Sequence, residues 1–471
     1  MSRTWLVVPL VLLYLLNLGS AGFLGPDEPR YASIGREMAT SGDWVTPRLN
    51  GSPWFEKPPL IYWTSAAVNR LGLRDEWAAR LPVALMSVAF LIFFFATLRR
   101  EFSATIAITA TAILAGSAGW LTASFAAVPD LPMSAAVAAA MLIALFGSDP
   151  RRGWIAGALL GVAVLAKGFV PLALFAPVWL IARRKRLAIA GAAVLVAAPW
   201  YVLCLLRNGS AFWNEFFWKH HVQRLLSGEA LQHGQPFYYY IPVLLAGLFP
   251  WTPLAALTLR RKTYEDVRVR FLSIWVLGVV AFFSAVPNKL PLYVLPVMPA
   301  LAIILAVALD KTPGREWWLG ASVLLLVLMP SIGRALPDAF LAGATRTHWS
   351  FDPRGIPFAL AAAFVWWLAR QGRMADALLT SALTIALAIG YFKIAALSVL
   401  DQRASARPFF RAHEAEFMDA CVDRNISRTW VYGLEYYARR ALPECGNAST
   451  AWRISAERGM LNLSPANQYR R

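Results

Sequence analysis

The sequence predicts an all-α polytopic membrane protein carrying a small α/β piece at its C-terminal end, and three observations lead there. First, 58% of the 471 residues are hydrophobic and only 15% are charged, with a mean hydropathy of +0.50; soluble domains run at roughly 45–50% apolar and 25% charged. Second, apolar runs near the length a helix needs to cross a bilayer, about 20 residues, recur from Trp5 to Leu400. Third, the basic residues behind the formal net charge of +18 stand in short clusters between those runs. That placement fits loops flanking a bilayer, and no basic stripe interleaved with aromatics supports a nucleic-acid partner. Three cysteines exclude a disulfide-dense scaffold and a cysteine zinc ribbon.

In chain order the runs are Trp5–Leu24, Leu81–Leu98, Thr105–Phe125, Leu131–Phe146, Trp154–Ala166, Phe169–Ala182, Leu187–Leu206, Phe237–Leu259, Phe271–Val286, Leu290–Leu309, Trp317–Leu336, Ile356–Ala369 and Ala377–Leu400, about thirteen crossings. Trp154–Ala166 and Phe169–Ala182 are short and meet at Lys167-Gly168, the pattern of broken or tilted helices. Alternate connections hold Arg99-Arg100, Arg151-Arg152, Arg183–Arg186, Arg260–Arg270, Lys311 with Arg315, and Arg370 with Arg373, whereas the short connections between them hold only Lys167 and Lys289. The positive-inside rule makes the first set cytoplasmic. Arg3 puts the N-terminus there too, and an odd number of crossings carries the tail to the other side. Trp5–Leu24 is longer than a signal peptide's apolar region and Gly25-Pro26-Asp27 is a poor cleavage site, so it is expected to remain as a span.

The expected organisation is a transmembrane unit over 1–400, with outer loops 25–80 and 207–236, and a small periplasmic domain over 401–471. Within the tail, Pro408–Val422 has a helical pattern, Thr429–Tyr432 reads as a strand and Tyr436–Leu442 as a second helix. Cys421 and Cys445 both lie on the oxidising side in this topology, where they can pair. Cys204 sits inside an apolar run and reads as packing.

The chemistry-bearing residues gather on the outer face. Asp27-Glu28-Pro29-Arg30-Tyr31 follows the first span directly, so its carboxylates stand at the membrane lip where a lipid headgroup lies; Asp27 also suits an N-cap for a helix over Pro29–Thr40. Paired prolines force Glu56-Lys57 in Phe55-Glu56-Lys57-Pro58-Pro59 into extended backbone. An ammonium held among Trp54, Phe55, Tyr62 and Trp63 suits a lipid phosphate, and it equally suits an interfacial anchor. A transporter keeps its polar chemistry at mid-membrane, unlike this layout.

The run DEPRYASIGREMATSGDWVTPRLNGSPWFEKPPLIYW, with its D-E-x-R-Y-A, S-G-D-W-V-x-P-R-x-N-G and F-E-K-P-P-L-x-Y-W pieces, resembles the first periplasmic loop of the bacterial aminoarabinose transferases and their relatives in the protein O-mannosyltransferase-like family of GT-C integral-membrane glycosyltransferases. Lys167-Gly168, His221-Val-Gln-Arg224-Leu, His233-Gly-Gln-Pro236-Phe-Tyr-Tyr-Tyr and Lys289-Leu-Pro291-Leu-Tyr293-Val-Leu-Pro296 are similar to that family as well. The likeness covers roughly Met1–Leu400.

The resemblance implies inverting transfer of a sugar from an undecaprenyl phosphate carrier to lipid A, a glycan or another envelope acceptor, at the periplasmic face of the inner membrane. No nucleotide cofactor is expected. Asp27 would be the catalytic acidic residue and Asp130 its second acidic site, though Asp130 also suits an N-cap for the run from Leu131. Lys57 and Arg224, then Lys289 and Lys167, would bind the lipid phosphate, whose charge grows as the glycosidic bond breaks. Glu28, Arg30, Tyr31, Tyr62, His233 and Tyr293 would line the substrate cavity. Glu56, His220 and His221 could hold a zinc or magnesium ion, although their spacing lacks a metal signature. The alternatives are a lipid-sugar flippase, which needs ionisable residues deep in the spans, or a non-catalytic polyprenyl-phosphate-binding envelope protein.

Overall fold

The computed structural model describes residues 13–146, 149–223, 234–343, 346–446, 450–457 and 460–466. Before the first long membrane helix, the chain builds a compact platform. Helix α1 (Asp27–Ser41) begins with Asp27 and Glu28 in its first turn, where carboxylates offset the positive end of the helix dipole, and ends at Gly42, whose φ is 73°. Asn50-Gly51 turns the two-residue strands β1 (Arg48–Leu49) and β2 (Ser52–Pro53) into an antiparallel hairpin. Glu37 of α1 accepts the backbone N–H groups of Asn50 at 2.7 Å and Gly51 at 3.0 Å, fixing the hairpin to the helix. Helix α2 (Leu60–Arg70) starts after the paired prolines and packs along α1.

The apolar runs then fold as α3 (Asp75–Glu101), α4 (Ala104–Gly116), α5 (Ala118–Phe125), α6 (Asp130–Leu145), α7 (Arg152–Lys167), α8 (Val170–Ile181), α9 (Arg186–Phe212), α10 (Tyr240–Gly247), α11 (Val267–Ala285), α12 (Met298–Asp310), α13 (Arg315–Leu324), α14 (Met329–Ala342), α15 (Ile356–Arg370) and α16 (Met374–Ala404). Among the described residues, six helical stretches are long and apolar enough to cross a membrane, or seven if α4 and α5, bent by 57°, make one span. The rest are shorter. Phe237–Leu259 is not one unbroken crossing: α10 gives way at a cis Phe249–Pro250 bond to a 3-10 stretch over Thr252–Leu259, because Pro250 and Pro253 remove donors that a continuous helix requires. Gly168, with φ 72°, separates α7 from α8.

The core lies around α6 and α12, which are apolar on every side because other helices enclose them. Gly153, Gly157 and Gly161 recur every four residues along α7 and let it approach α9; a Cβ on Gly157 would stand 2.3 Å from the Ile189 carbonyl oxygen.

One buried ion pair joins the platform to the helices. Glu28 receives Arg80 Nε at 2.9 Å and a terminal N–H at 2.8 Å, together with the backbone N–H groups of Leu24 at 3.0 Å and Ala127 at 2.8 Å. Arg80, fully buried, donates its other N–H groups to the carbonyls of Leu18, Ala21 and Gly22 at 2.6–2.9 Å. Glu28 is therefore not a cavity-lining residue: every oxygen is committed to a structural donor.

The tail differs from its expected pattern. Pro408–Val422 divides into α17 (Arg407–Ala412), a 3-10 turn over Glu416–Asp419 and strand β3 (Ala420–Val422). Thr429–Tyr432 is not a strand but lies inside α18 (Arg428–Ala438), which takes in only Tyr436–Ala438 of the expected Tyr436–Leu442 helix before Arg439 in the left-handed region ends it. Burial of Trp430, Gly433, Leu434 and Tyr436 at helical spacing overrode the β propensity of the Trp-Val-Tyr stretch. Strands β4 (Trp452–Glu457) and β5 (Met460–Pro465) complete a sheet in which β3 is parallel to β4 and β5 antiparallel to it. Cys421 and Cys445 are disulfide-bonded and Cys204 is a buried thiol.

Replacing Arg80 by alanine would leave the Glu28 carboxylate buried and unpaired, a change that costs about 3–5 kcal/mol. Thermal unfolding of the detergent-solubilised protein should shift down sharply for Arg80→Ala. Arg80→Lys should recover little, because an ammonium lacks the planar fork that reaches both the carboxylate and three carbonyls; an unchanged unfolding temperature would remove this pair as the tie.

Candidate active site at the membrane lip

Asp27 and Arg30 share one turn of α1, and Arg30 donates to Asp27 at 2.5 Å and to Glu56 at 3.1 Å. Lys57 meets Glu56 at 2.8 Å. Glu56 and Lys57 lie in a bend before Pro58-Pro59 and not in the expected extended backbone, and the charges follow in alternating order: carboxylate, guanidinium, carboxylate, ammonium. The Arg30 guanidinium also lies 5.3–5.4 Å from the ring centres of Tyr31, Trp54 and Tyr432, so aromatic faces hold the cation in place. Tyr31 and Tyr62 are edge to face at 5.8 Å.

Neither acidic candidate acts as a side-chain helix cap. Helix α1 starts at Asp27 itself with Pro26 in the capping position, and α6 starts at Asp130 after Pro129. Both carboxylates are left for other partners. Asp130 is bonded to Lys167, which stands at the end of α7 with its ammonium 5.0 Å from the Tyr293 ring centre. Lys289 is buried and donates to the Gln235 carbonyl at 3.0 Å.

Half of the Asp27 side chain is open, yet the protein closing around it pushes its carboxyl above the ordinary range. Arg30 opposes that rise, Glu56 adds to it, Lys57 opposes it and Asp130 adds to it again. Asp27, Lys57 and Asp130 thus share one electrostatic neighbourhood, built from α1, the loop before α2 and the start of α6. A carboxylate poised to hold a proton beside several fixed cations suits transfer of a group whose leaving oxygen gains negative charge. Arg30 Nε, Trp54 Nε1 and Tyr62 OH are buried without a hydrogen-bond partner among the described residues, which leaves polar capacity around the same centre.

The sequence-expected metal set does not fit a cation as far as it is described. The Glu56 carboxylate faces Arg30 and Lys57, two positive charges where a metal ion would have to sit. Among the described residues no group of three His, Cys, Asp or Glu side chains is placed to hold a metal. Arg224 and His233 lie outside the described residues, as do the side chains of His220 and His221.

One contributor escaped the sequence reading: Tyr432 lay in a stretch read as strand. Trp54, expected around the Lys57 ammonium, stands against Arg30. A helical reading of residues 428–438 would have put Tyr432 and Tyr436 on one face, four residues apart, where the structure sets them against Arg30 and Arg36 of α1.

A family model described as dolichyl-phosphate-mannose-protein mannosyltransferase matches residues 56–209. The chain is similar to the undecaprenyl phosphate-alpha-4-amino-4-deoxy-L-arabinose arabinosyl transferase of Pectobacterium carotovorum subsp. carotovorum (strain PC1), with 31% identity over 73% of this chain and 67% of the relative. It is also similar to arabinosyl transferase 1 of that kind from Pseudomonas fluorescens (strain Pf0-1), with 32% identity over 66% of this chain but only 58% of the relative's length. In three dimensions it is similar to ArnT from Cupriavidus metallidurans bound to undecaprenyl phosphate, at a TM-score of 0.76 and 26% identity, covering 95% of this chain and 87% of that one.

If Asp27 must be ionised to work, the acid limb of the pH–rate profile should lie above the ordinary aspartate range, because burial raises its folded-state pKa. Removing a neighbouring cation with Arg30→Gln should move that limb higher still, and Asp130→Asn should move it lower. Steady-state kcat/KM against pH for the three proteins checks the order; coincident limbs would separate Asp27 from the titration.

Proposed function

The chain belongs to the bacterial aminoarabinose transferase family of integral-membrane glycosyltransferases, and from that premise we propose that it transfers a sugar from undecaprenyl phosphate to an envelope acceptor at the periplasmic face of the inner membrane. The sugar in the relatives' names makes 4-amino-4-deoxy-L-arabinose the one to try first; a lipid A phosphate or saccharide hydroxyl is the acceptor this reading takes up. The observation that carries this reading is the Asp27–Arg30–Glu56–Lys57 ladder with Asp130 in its field.

The acceptor oxygen attacks the anomeric carbon, and the bond from that carbon to the carrier phosphate breaks. The phosphate departs with the electron pair, which inverts the configuration at that carbon. Asp27 orients the acceptor and takes its proton if the acceptor is a hydroxyl; a phosphate acceptor needs only positioning. Lys57, with Lys289 and, as the family resemblance implies, Arg224, neutralises the departing phosphate, while Lys167 holds Asp130 in place. Arg30 sets the charge on Asp27, and Tyr31, Tyr62 and Tyr293 supply aromatic walls. No step is assigned to a metal ion.

In this reading the shorter helices complete about thirteen crossings, the N-terminus is cytoplasmic, and the tail over 401–471 is periplasmic. The Cys421–Cys445 disulfide suits that oxidising side. A flippase reading needs working charges inside the spans, and Lys393 of α16 is one buried there. Its ammonium donates to the carbonyls of Leu13 and Leu16 at 2.8 and 3.1 Å, which makes it a cap for the end of a helical segment.

With a labelled undecaprenyl-phosphate sugar as donor, Asp27→Asn and Lys57→Ala should each lower transfer by about 10²–10⁴-fold while the protein remains folded. Retained turnover in both variants would sink the assignment. Alkaline phosphatase fused after Arg471 should be active in cells; activity appearing instead in a fusion after Arg373 would invert the topology.

A further inference from the structure

A second concavity, of about 490 Å³, opens where the tail meets the platform, walled by α17, α18, α1 and the start of α3. None of the Asp27–Lys57 ladder lines it. Five arginines and three carboxylates do, and the carboxylates are unequally engaged. Glu76 accepts the Tyr437 hydroxyl at 2.6 Å and pairs with Arg407 at 3.2 Å, and Asp75 accepts the Tyr436 hydroxyl at 3.3 Å. Arg407 is further committed to Asp401 and to the carbonyls of Gly19 and Ser20, and Arg440 to the carbonyls of Phe417 and Met418.

Three guanidinium groups remain against Glu414. Arg36 spends one N–H on the Tyr436 carbonyl at 2.9 Å and stacks 4.1 Å from that ring's centre. Arg411 and Arg439 are exposed and make no ion pair or side-chain hydrogen bond among the described residues. Arg439 stands near enough to Arg36 for the two charges to repel. Cations that crowd one concave wall without matching carboxylates complement an anion, and stacked, forked guanidinium groups match phosphate oxygens best.

The cleft is tied to the ladder by two parallel helices. Tyr432 and Tyr436 of α18 stack on Arg30 and Arg36 of α1, and the nine helical steps from Asp27 to Arg36 span about 14 Å at ~1.5 Å per residue. We propose that this cleft seats a phosphomonoester of the acceptor saccharide, a second anionic group remote from the accepting oxygen, so that the acceptor is held at both ends. The inference rests on the glycosyl-transfer reading.

The test uses the full-length protein and the double variant Arg411→Gln with Arg439→Gly; glycine retains the φ of 55° at 439, so the guanidinium is lost without a backbone change. Arg411→Gln alone serves if the double variant proves unstable. The acceptor is a lipid-anchored disaccharide carrying phosphate at both ends, compared with one dephosphorylated at the end distal to transfer. The variant should raise KM for the doubly phosphorylated acceptor about tenfold with kcat and donor KM unchanged, and should show no additional loss on the dephosphorylated one. Unchanged KM, or equal loss on both acceptors, would overturn the proposal. So would competition by phosphatidylglycerol vesicles as effective, per phosphate, as a soluble phosphorylated disaccharide, which would point to a lipid surface. Calorimetric binding of that soluble disaccharide, present in the wild type and lost in the variant, tests the cleft even if no acceptor is glycosylated, the result that would count against the functional reading alone.

Discussion

The Glu28–Arg80 pair is the constraint on which the outer face depends. An arginine and a glutamate buried together survive only when every donor and acceptor around them is satisfied, and here that requirement recruits three separate pieces of chain. Arg80 closes the carbonyls at Leu18, Ala21 and Gly22, and Glu28 closes the N–H groups of Leu24 and Ala127. Asp27 is the neighbour of Glu28, and Asp130 follows Ala127 by three residues at the start of α6. Satisfying one buried pair therefore sets the spacing of the two acidic candidates.

A second layer of arginines extends the same logic outward. Arg407 binds the carbonyls of Gly19 and Ser20 and the carboxylates of Glu76 and Asp401, while Tyr437 links Glu76 to the backbone of Phe23. The tail is thereby part of the platform, and its helix α18 contributes Tyr432 to the surroundings of Arg30. Electrostatics at the lip follow from this enclosure: burial raises Asp27, and the alternating order of Arg30, Glu56 and Lys57 divides the opposing influences on it.

Legibility varied with the kind of signal. The apolar runs after Trp5–Leu24 coincide with helical segments, since a lipid-facing or helix-enclosed stretch must be apolar along its own length. Internal breaks such as the one between Gly247 and Thr252 were less visible, because prolines are compatible both with a kinked helix and with a helix that ends. In the tail, Trp430, Val431 and Tyr432 favour a strand locally, and only packing of Trp430 and Leu434 into the small core with Phe417 and Ile454 makes that stretch helical. Glu28 stood in a motif beside Asp27 and shared its apparent chemistry, yet its oxygens are consumed by Arg80, 52 residues away.

By itself the sequence determined that this is a multi-span helical membrane protein with a motif-rich connection of acids, cations and aromatics over residues 25–80, because hydropathy and loop composition are written residue by residue. It also carried the motif residues Asp27, Lys57, Asp130 and Lys167 as candidates. Tertiary structure alone decided which charges meet: Asp130 with Lys167, Glu28 with Arg80, Arg30 with both Asp27 and Glu56, and Tyr432 against Arg30. Ion-pair choice depends on distance and desolvation in space, and neither is encoded by spacing along the chain.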